Sequence, residues 1–209
     1  MPDNSEHERL RRSWIANASA WRDAVREQRI ESRRLVTDAA IVQAVLDQHP
    51  RTVLDLGCGE GWLTRALASH GIDVTGVDAS EPLIEAARAL GGGRFEVADY
   101  DALPQTNFDA VVANFALLDD RPLPALQTNT LIVQTVHPAF AGGTYADGWR
   151  VETFDSFEGE WRESMPWFFS TLASWTRLFR DAGFAIHEIR EPLHPERGTP
   201  ASILFICRR

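Results

Sequence analysis

The stretch 53–80, VLDLGCGEGWLTRALASHGIDVTGVDAS, constrains the fold of this chain more than any other. An apolar run reaches Asp55 and passes into a glycine-rich turn, Gly57-Cys58-Gly59-Glu60-Gly61. From Trp62 the apolar residues Leu63, Ala66 and Leu67 recur at helical spacing, and a second apolar run, 74–77, ends in Asp78. The order is strand, tight loop, helix, turn, strand, which is half of a doubly wound α/β unit. Glycines give the loop access to positive φ and let a ligand approach the backbone. An acid closing the second strand is placed to accept both hydroxyls of a ribose. The glycine spacing separates two ligand classes. A dinucleotide fingerprint needs its third glycine at position 62, which is Trp, and a carboxylate two residues before the first glycine would repel a pyrophosphate. The same carboxylate, Asp55, suits a cationic ligand.

The pattern D-x-G-x-G-x-G at 55–61, followed by Asp78, resembles motif I of the class I S-adenosylmethionine (SAM) dependent methyltransferases. From about Arg51 to the C-terminus the order of elements is similar to that family, in the style of its small-molecule and quinone-biosynthesis enzymes. The resemblance implies an α/β fold: a doubly wound, mostly parallel seven-stranded sheet with helices on both faces, its last strand antiparallel, and an N-terminal helical lid. It implies SAM as cofactor and S-adenosylhomocysteine as product. The residues it points to are Asp55, the loop residues Gly57, Cys58 and Gly59, and Asp78 with Ala79 at the ribose. Further on, Asp99 would read the adenine amino group, the Tyr100 backbone would contact the ring, and Asn114 and Phe115 would lie under the methionine moiety. In some quinone-biosynthesis relatives a basic residue before the first strand holds the methionine carboxylate. Of Arg29, Arg33 and Arg34, Arg34 is the candidate here. The sequence A-N-F-A at 113–116 departs from the N/D-P-P-Y signature of enzymes that methylate exocyclic amines of bases or glutamine.

Residues 1–50 read as a helical extension and 51–209 as the cofactor-binding domain. Trp14, Ile15, Ala18, Trp21 and Val25 form one aromatic stripe, either packed on the main domain or, as the resemblance implies, covering the cofactor mouth. Thr37 reads as an N-cap for a helix that buries Ile41, Val45 and Leu46, and Ser80 as the cap of a helix over 82–90. Residues 95–98, 108–114 and 131–136 read as the third, fourth and fifth strands. Between the last two, 119–130 holds two prolines and no glycine, leaving room for little more than one helical turn. Either this crossover is abbreviated or the chain lacks part of a natural loop.

From 137 to about 170 the composition shifts to aromatics, glycine and acids without a sustained period. So long an irregular segment in a compact domain is usually functional. Tyr145, Trp149, Trp161 and Trp167 would wall an apolar or aromatic acceptor pocket, or else fill the core of a hairpin. His137 opens the segment at the carboxyl end of the fifth strand, where its ring would serve as general base or orient the acceptor, or else, with Pro138 after it, be a satisfied ring in a turn. A helix from Leu172 to the glycine at 183 and two strands, 185–189 and 203–207, complete the pattern as an antiparallel edge pair.

The two isolated cysteines, Cys58 and Cys207, make no disulfide framework, and the polar N-terminus has no apolar leader, which predicts a reducing, cytoplasmic setting. No apolar run reaches membrane-spanning length, and a net charge of −9 argues against general nucleic-acid affinity. The expected activity is methyl transfer from SAM to an O, N or C nucleophile of a small, apolar or aromatic acceptor. Rival readings are a methyltransferase of tRNA or another macromolecule, a non-catalytic SAM-binding protein, and a nicotinamide-dependent oxidoreductase, which the glycine spacing disfavours.

Overall fold

The structure is a computed structural model, in which the described residues are 4–209. The alternating and continuous apolar runs form strands β1 (Thr52–Leu56), β2 (Asp73–Asp78), β3 (Arg94–Val97), β4 (Ala110–Asn114), β5 (Thr130–Thr135), β6 (Gly148–Glu152), β7 (Met165–Phe169), β8 (Ala185–Arg190) and β9 (Ile203–Arg208). Seven of them make one sheet, in the spatial order β3-β2-β1-β4-β5-β9-β8. β9 is antiparallel to both neighbours, so a single reversed strand lies one place in from the edge. Side-chain alternation divides β9 between the two faces. Ile203, Phe205 and Cys207 join Leu54, Val133 and Phe179 on one face, while Leu204 and Ile206 join Val53, Leu67 and Ile132 on the other.

Helices cover both faces. α3 (Asp38–Leu46) and α4 (Trp62–Ser69) bury Ile41, Val45, Leu63 and Leu67 on one side, and α6 (Leu172–Asp181) buries Trp175 and Phe179 on the other. α5 (Glu81–Leu90) follows β2, with Pro82 in its first turn and Gly91 at φ 66° as its stop. Ser80 occupies the extended N-cap position, but its hydroxyl makes no capping bond. Thr37 is not a cap either. It ends a π turn, Arg33–Thr37, that runs directly into α3, and its hydroxyl is buried without a partner. The β4–β5 crossover contains no helix, shorter even than the single turn its prolines leave room for.

Over one end of the sheet lies a roof. α1 (Asn4–Ala16) packs on β7, and α2 (Ala18–Arg26) packs on α5. β7 pairs with β6 in a separate two-stranded hairpin. The aromatic stripe of the N-terminal helices meets the hairpin's aromatics: Trp14 stacks on Trp21 at 5.1 Å, and Trp21 lies edge-on to Phe154 and Trp161. Asn17, fully buried between α1 and α2, joins the pieces. Its amide donates to the Glu163 carbonyl at 2.7 Å, and its Oδ1 accepts the Arg162 N–H at 2.7 Å. No helix among the described residues is long and apolar enough to cross a membrane.

One carboxylate is enclosed by the sheet. Asp55 in β1 is buried, and its Oδ2 accepts a hydrogen bond from Thr64 Oγ1 of α4 at 2.7 Å. Burial pushes its carboxyl up to about 7, the Thr64 bond pulls it down, and the nearby Asp78 raises it further. The folded-state value lies above the unfolded one, so the protonated carboxyl favours folding below about pH 4, and that contribution is lost as pH rises through about 7. The size is on the order of 4 kcal/mol. Urea unfolding of the ligand-free protein should therefore show Asp55→Asn gaining stability relative to wild type across this window. Parallel wild-type and variant profiles from pH 4 to 8 would contradict the assignment.

Candidate active-site cleft

A cleft of about 550 Å³ opens above the carboxyl ends of β1, β2 and β4, between the sheet and the roof. The glycine loop forms its floor. A Cβ on Gly57 would stand 2.5 Å from the Ala116 Cβ, whereas one on Gly59, at φ +57°, would meet nothing within 4 Å. The loop is thus closed behind and open in front, as close ligand approach requires. Asp78 lines the cleft with its carboxylate held in orientation: Oδ2 accepts the Gly59 N–H at 2.9 Å and Oδ1 the Ser80 N–H at 2.8 Å. Desolvation raises this carboxyl above the usual range while the two amides pull it down. The Cys58 thiol is pushed up by burial, then by Asp55 and Asp78, so it stays protonated and acts as filler rather than as a nucleophile.

At the far wall, Asp99 Oδ1 accepts the Tyr100 N–H at 2.6 Å and lies 3.4 Å from Arg121 Nη1. The Tyr100 hydroxyl donates to the Ala116 carbonyl at 2.8 Å, and burial pushes this phenol up. Phe115 leaves β4 at φ +52°, a conformation costly for a bulky side chain and held by its N–H bond to the Gln134 carbonyl at 2.8 Å. Four cleft residues among those described carry a buried polar atom with no hydrogen-bond partner: Trp21 Nε1, Arg33 Nη2, Ser80 Oγ and Asn114 Oδ1. Buried polar atoms are ordinarily satisfied, so these mark positions where a polar ligand would complete the set.

The structure brings Gly57, Cys58, Gly59, Asp78, Ala79, Asp99, Tyr100, Asn114, Phe115 and Trp167 together around this one cleft. Six other expected site residues lie outside it. Asp55 sits behind the loop, as described above. Arg34 is exposed and borders a separate small hollow, and its neighbour Arg33 takes the place in the cleft. The π turn changes the phase of the helix at this point. Arg33 is anchored by its Nε to Asp38 Oδ1 at 3.0 Å, with its guanidinium 4.7 Å from the Trp62 ring centre. Tyr145 is half exposed at the base of the hairpin, where its hydroxyl accepts the Leu172 N–H at 3.1 Å.

Trp149 and Trp167 cannot both wall the cleft, because they fall on opposite faces of the hairpin. Trp167 pairs with Arg150, and Met165 with Glu152, whereas Trp149 pairs with Phe168. Met165, Trp167 and Glu152 line the cleft; Trp149 packs instead against Phe168 and His7. Trp161 is stacked on Phe154 at 4.1 Å inside the roof. His137 is only 4% exposed and stands away from the cleft. Its Nε2 lies 2.7 Å from Glu191 Oε1, and its Nδ1 accepts the Ala139 N–H at 3.2 Å. With both ring nitrogens engaged in stabilising the turn after β5, the imidazole has no free site for a proton from an acceptor.

Sequence reasoning missed Glu60, at the tip of the glycine loop and 3% exposed. Its carboxylate accepts Arg65 Nη2 at 2.8 Å on each oxygen and Arg26 Nε at 2.9 Å. An acid amid glycines with an arginine five residues on was a visible signal for the first pair. Nothing local pointed to Arg26, which reaches over from α2 and ties the roof to the loop.

Residues 53–131 match the family model described as a methyltransferase domain. The chain is 30% identical over 162 residues to an uncharacterised methyltransferase of Schizosaccharomyces pombe, covering 68% of this chain and 62% of that protein. It is 46% identical over 74 residues to trans-aconitate 2-methyltransferase of Rhodococcus jostii, covering 34% of this chain and 28% of that protein. The chain thus spans less than two thirds of the length of these curated relatives. The crystal structure of an S-adenosylmethionine dependent methyltransferase from Mesorhizobium loti superposes with a TM-score of 0.61 at 25% identity, covering 80% of this chain and 96% of that one. The strand order with its one reversed strand agrees with these matches, as does the glycine loop at the carboxyl ends of the first two strands. The chain carries a methyltransferase domain over 53–131 and has the fold of the class I S-adenosylmethionine-dependent methyltransferases.

Proposed function

We propose that this chain transfers the methyl group of SAM to an O, N or C nucleophile of a small acceptor with an apolar or aromatic frame. The observation that carries the reading is the division of the cleft. One end gathers the orientated carboxylates with Arg33 Nη2, Ser80 Oγ and Asn114 Oδ1, and the other is walled by Leu10, Trp14, Phe157, Met165 and Trp167 with Trp21, whose Nε1 is also unpartnered. A relative matched over part of the chain is named for methylating trans-aconitate, which supports a small-molecule acceptor. The net charge of −9 speaks against a nucleic-acid acceptor.

Each polar residue at the first end then has a task. Asp78, with two lone pairs already committed to amides, offers its remaining lone pairs to the ribose hydroxyls. Asp99 and Tyr100 take the adenine. Arg33 Nη2 takes the methionine carboxylate, in place of the Arg34 expected from sequence, and Asn114 Oδ1 accepts from the α-ammonium. The cofactor supplies an electrophilic methyl on a positively charged sulfur, and that charge favours the ionised form of the Asp55 and Asp78 carboxyls. The roof excludes water and holds the acceptor aligned with the methyl, which is most of what such a reaction needs.

Purified protein incubated with methyl-labelled SAM and a panel of phenols, carboxylic acids and amines should label one acceptor class. Arg33→Ala and Asp78→Ala should each weaken SAM binding by about 10- to 150-fold, corresponding to about 1.5–3 kcal/mol for a hydrogen bond to a charged group. Trp167→Ala should raise the acceptor KM with SAM affinity intact. Folded Arg33 and Asp78 variants with wild-type SAM affinity would overturn the cofactor assignment. SAM binding without transfer to any acceptor would overturn the small-molecule reading.

A further inference from the structure

Among the described residues, two histidines stand 2.7 Å from a carboxylate, and they differ in what their second ring nitrogen meets. At His137 that nitrogen accepts a backbone N–H and the ring is sealed away from the cleft. At His7 the situation is reversed. His7 lies on α1 and lines the cleft, its Nε2 is 2.7 Å from Asp120 Oδ1, and its Nδ1 has no hydrogen-bond partner among the described residues. Its ring meets Trp149 edge-on, with centroids 5.3 Å apart at 72°, which fixes the plane of the imidazole.

Asp120 belongs to the helix-free β4–β5 crossover. Its neighbour Asp119 is occupied by Arg121, whose Nε donates at 2.7 Å and whose backbone N–H donates at 3.0 Å. That leaves Asp120 to the histidine. A carboxylate accepting Nε2–H places the proton on that nitrogen and leaves the Nδ1 lone pair free, the arrangement of a base held in one tautomer by an acidic partner. The other charged groups sharing the cleft near this end are Glu8 and Arg11 on the same helix, Asp119 and Arg121 on the crossover, and Glu152 on the hairpin.

We propose that His7, positioned by Asp120, is the general base of the methyl transfer; this rests on the small-molecule reading above. His7 Nδ1 takes the proton of the acceptor's O–H or N–H. The electron pair left on that atom forms the new bond to the methyl carbon, while the carbon–sulfur bonding pair stays with sulfur as a neutral thioether. The imidazolium so formed is stabilised by Asp120 and gives its proton to water when product leaves.

Two measurements test this, one of them independent of any acceptor. Side-chain ¹⁵N spectra of the protein alone should show His7 as the Nε2–H tautomer, a bias lost in Asp120→Ala. With the acceptors that wild type turns over, His7→Ala and His7→Gln should lower kcat about 10²- to 10⁴-fold with SAM affinity unchanged. Added imidazole should restore part of the rate to His7→Ala, and the defect should shrink for acceptors already ionised at the assay pH. Asp120→Ala should lower kcat less and leave the acceptor KM near wild type. Turnover within about threefold of wild type in both His7 variants would overturn the proposal, since a base contributes far more. So would a loss confined to KM, which would make the pair a latch on the roof, or an Nδ1–H tautomer in wild type. If wild type labels no member of the panel, the small-molecule reading fails, and the tautomer alone decides whether the dyad stands.

Discussion

Three consecutive amides of the glycine loop are bound to the end of one strand, and the cleft depends on that arrangement. The Gly57 and Cys58 N–H groups both donate to the Val77 carbonyl, at 2.8 and 2.9 Å, and the Gly59 N–H donates to the Asp78 carboxylate. Turning so many donors toward β2 requires positive φ at Gly57, Gly59 and Gly61, which side chains rarely tolerate. It also requires β2 to leave room. A Cβ on Gly76 would meet Thr64 Oγ1 at 2.7 Å and Cys58 Sγ at 2.9 Å. The loop therefore has one shape, and its open front faces the cleft. Immediately after these amides comes Glu60, whose carboxylate joins α4 through Arg65 and the roof through Arg26. With two arginines on so buried a carboxylate, removing one leaves the charge held by the other, whereas removing both would leave it uncompensated.

The roof has a different physical basis. Neither α1–α2 nor the β6–β7 hairpin makes up part of the seven-stranded sheet, and an isolated two-stranded hairpin is marginal in water. They stabilise each other through one aromatic cluster, with Leu10, Phe154 and Met165 buried among Trp14, Trp21 and Trp161. Asn17 adds a polar fastening in which both ends of its amide are satisfied by the chain at 162–163. The apolar end of the cleft is thus assembled from segments more than a hundred residues apart, and it exists only when they are docked. The Arg26–Glu60 pair ties the roof to the glycine loop at one point.

Much of this was legible in the sequence where the determinants are local. The alternation of apolar runs with helical periods carried the sheet, and the glycine loop with the strand-ending acids Asp78 and Asp99 marked residues that the fold gathers at one cleft. What stayed hidden depends on phase, register or long-range partners. Arg33 and Arg34 differ by one residue, and the π turn that selects between them leaves no clear trace in composition. Trp149 and Trp167 look equivalent until the hairpin register places them on opposite faces. His137 held the more suggestive position, after a strand, yet its partners Glu191 and Ala139 satisfy it completely. His7 carries no local signal, because its partner Asp120 lies 113 residues away in sequence. The proline-rich crossover was recognised as irregular, but nothing local said that its shortness brings an aspartate to the roof.

The central claim is that one cleft holds the cofactor over the strand ends with its sulfur turned toward an acceptor site under the N-terminal roof. A crystal structure with S-adenosylhomocysteine tests this most directly. The account predicts the ribose hydroxyls on Asp78, the adenine beside Asp99 and Tyr100, the carboxylate on Arg33, and the thioether sulfur facing Trp14 and Trp167. A ligand bound with Arg33 unengaged and its sulfur directed away from the roof would contradict it.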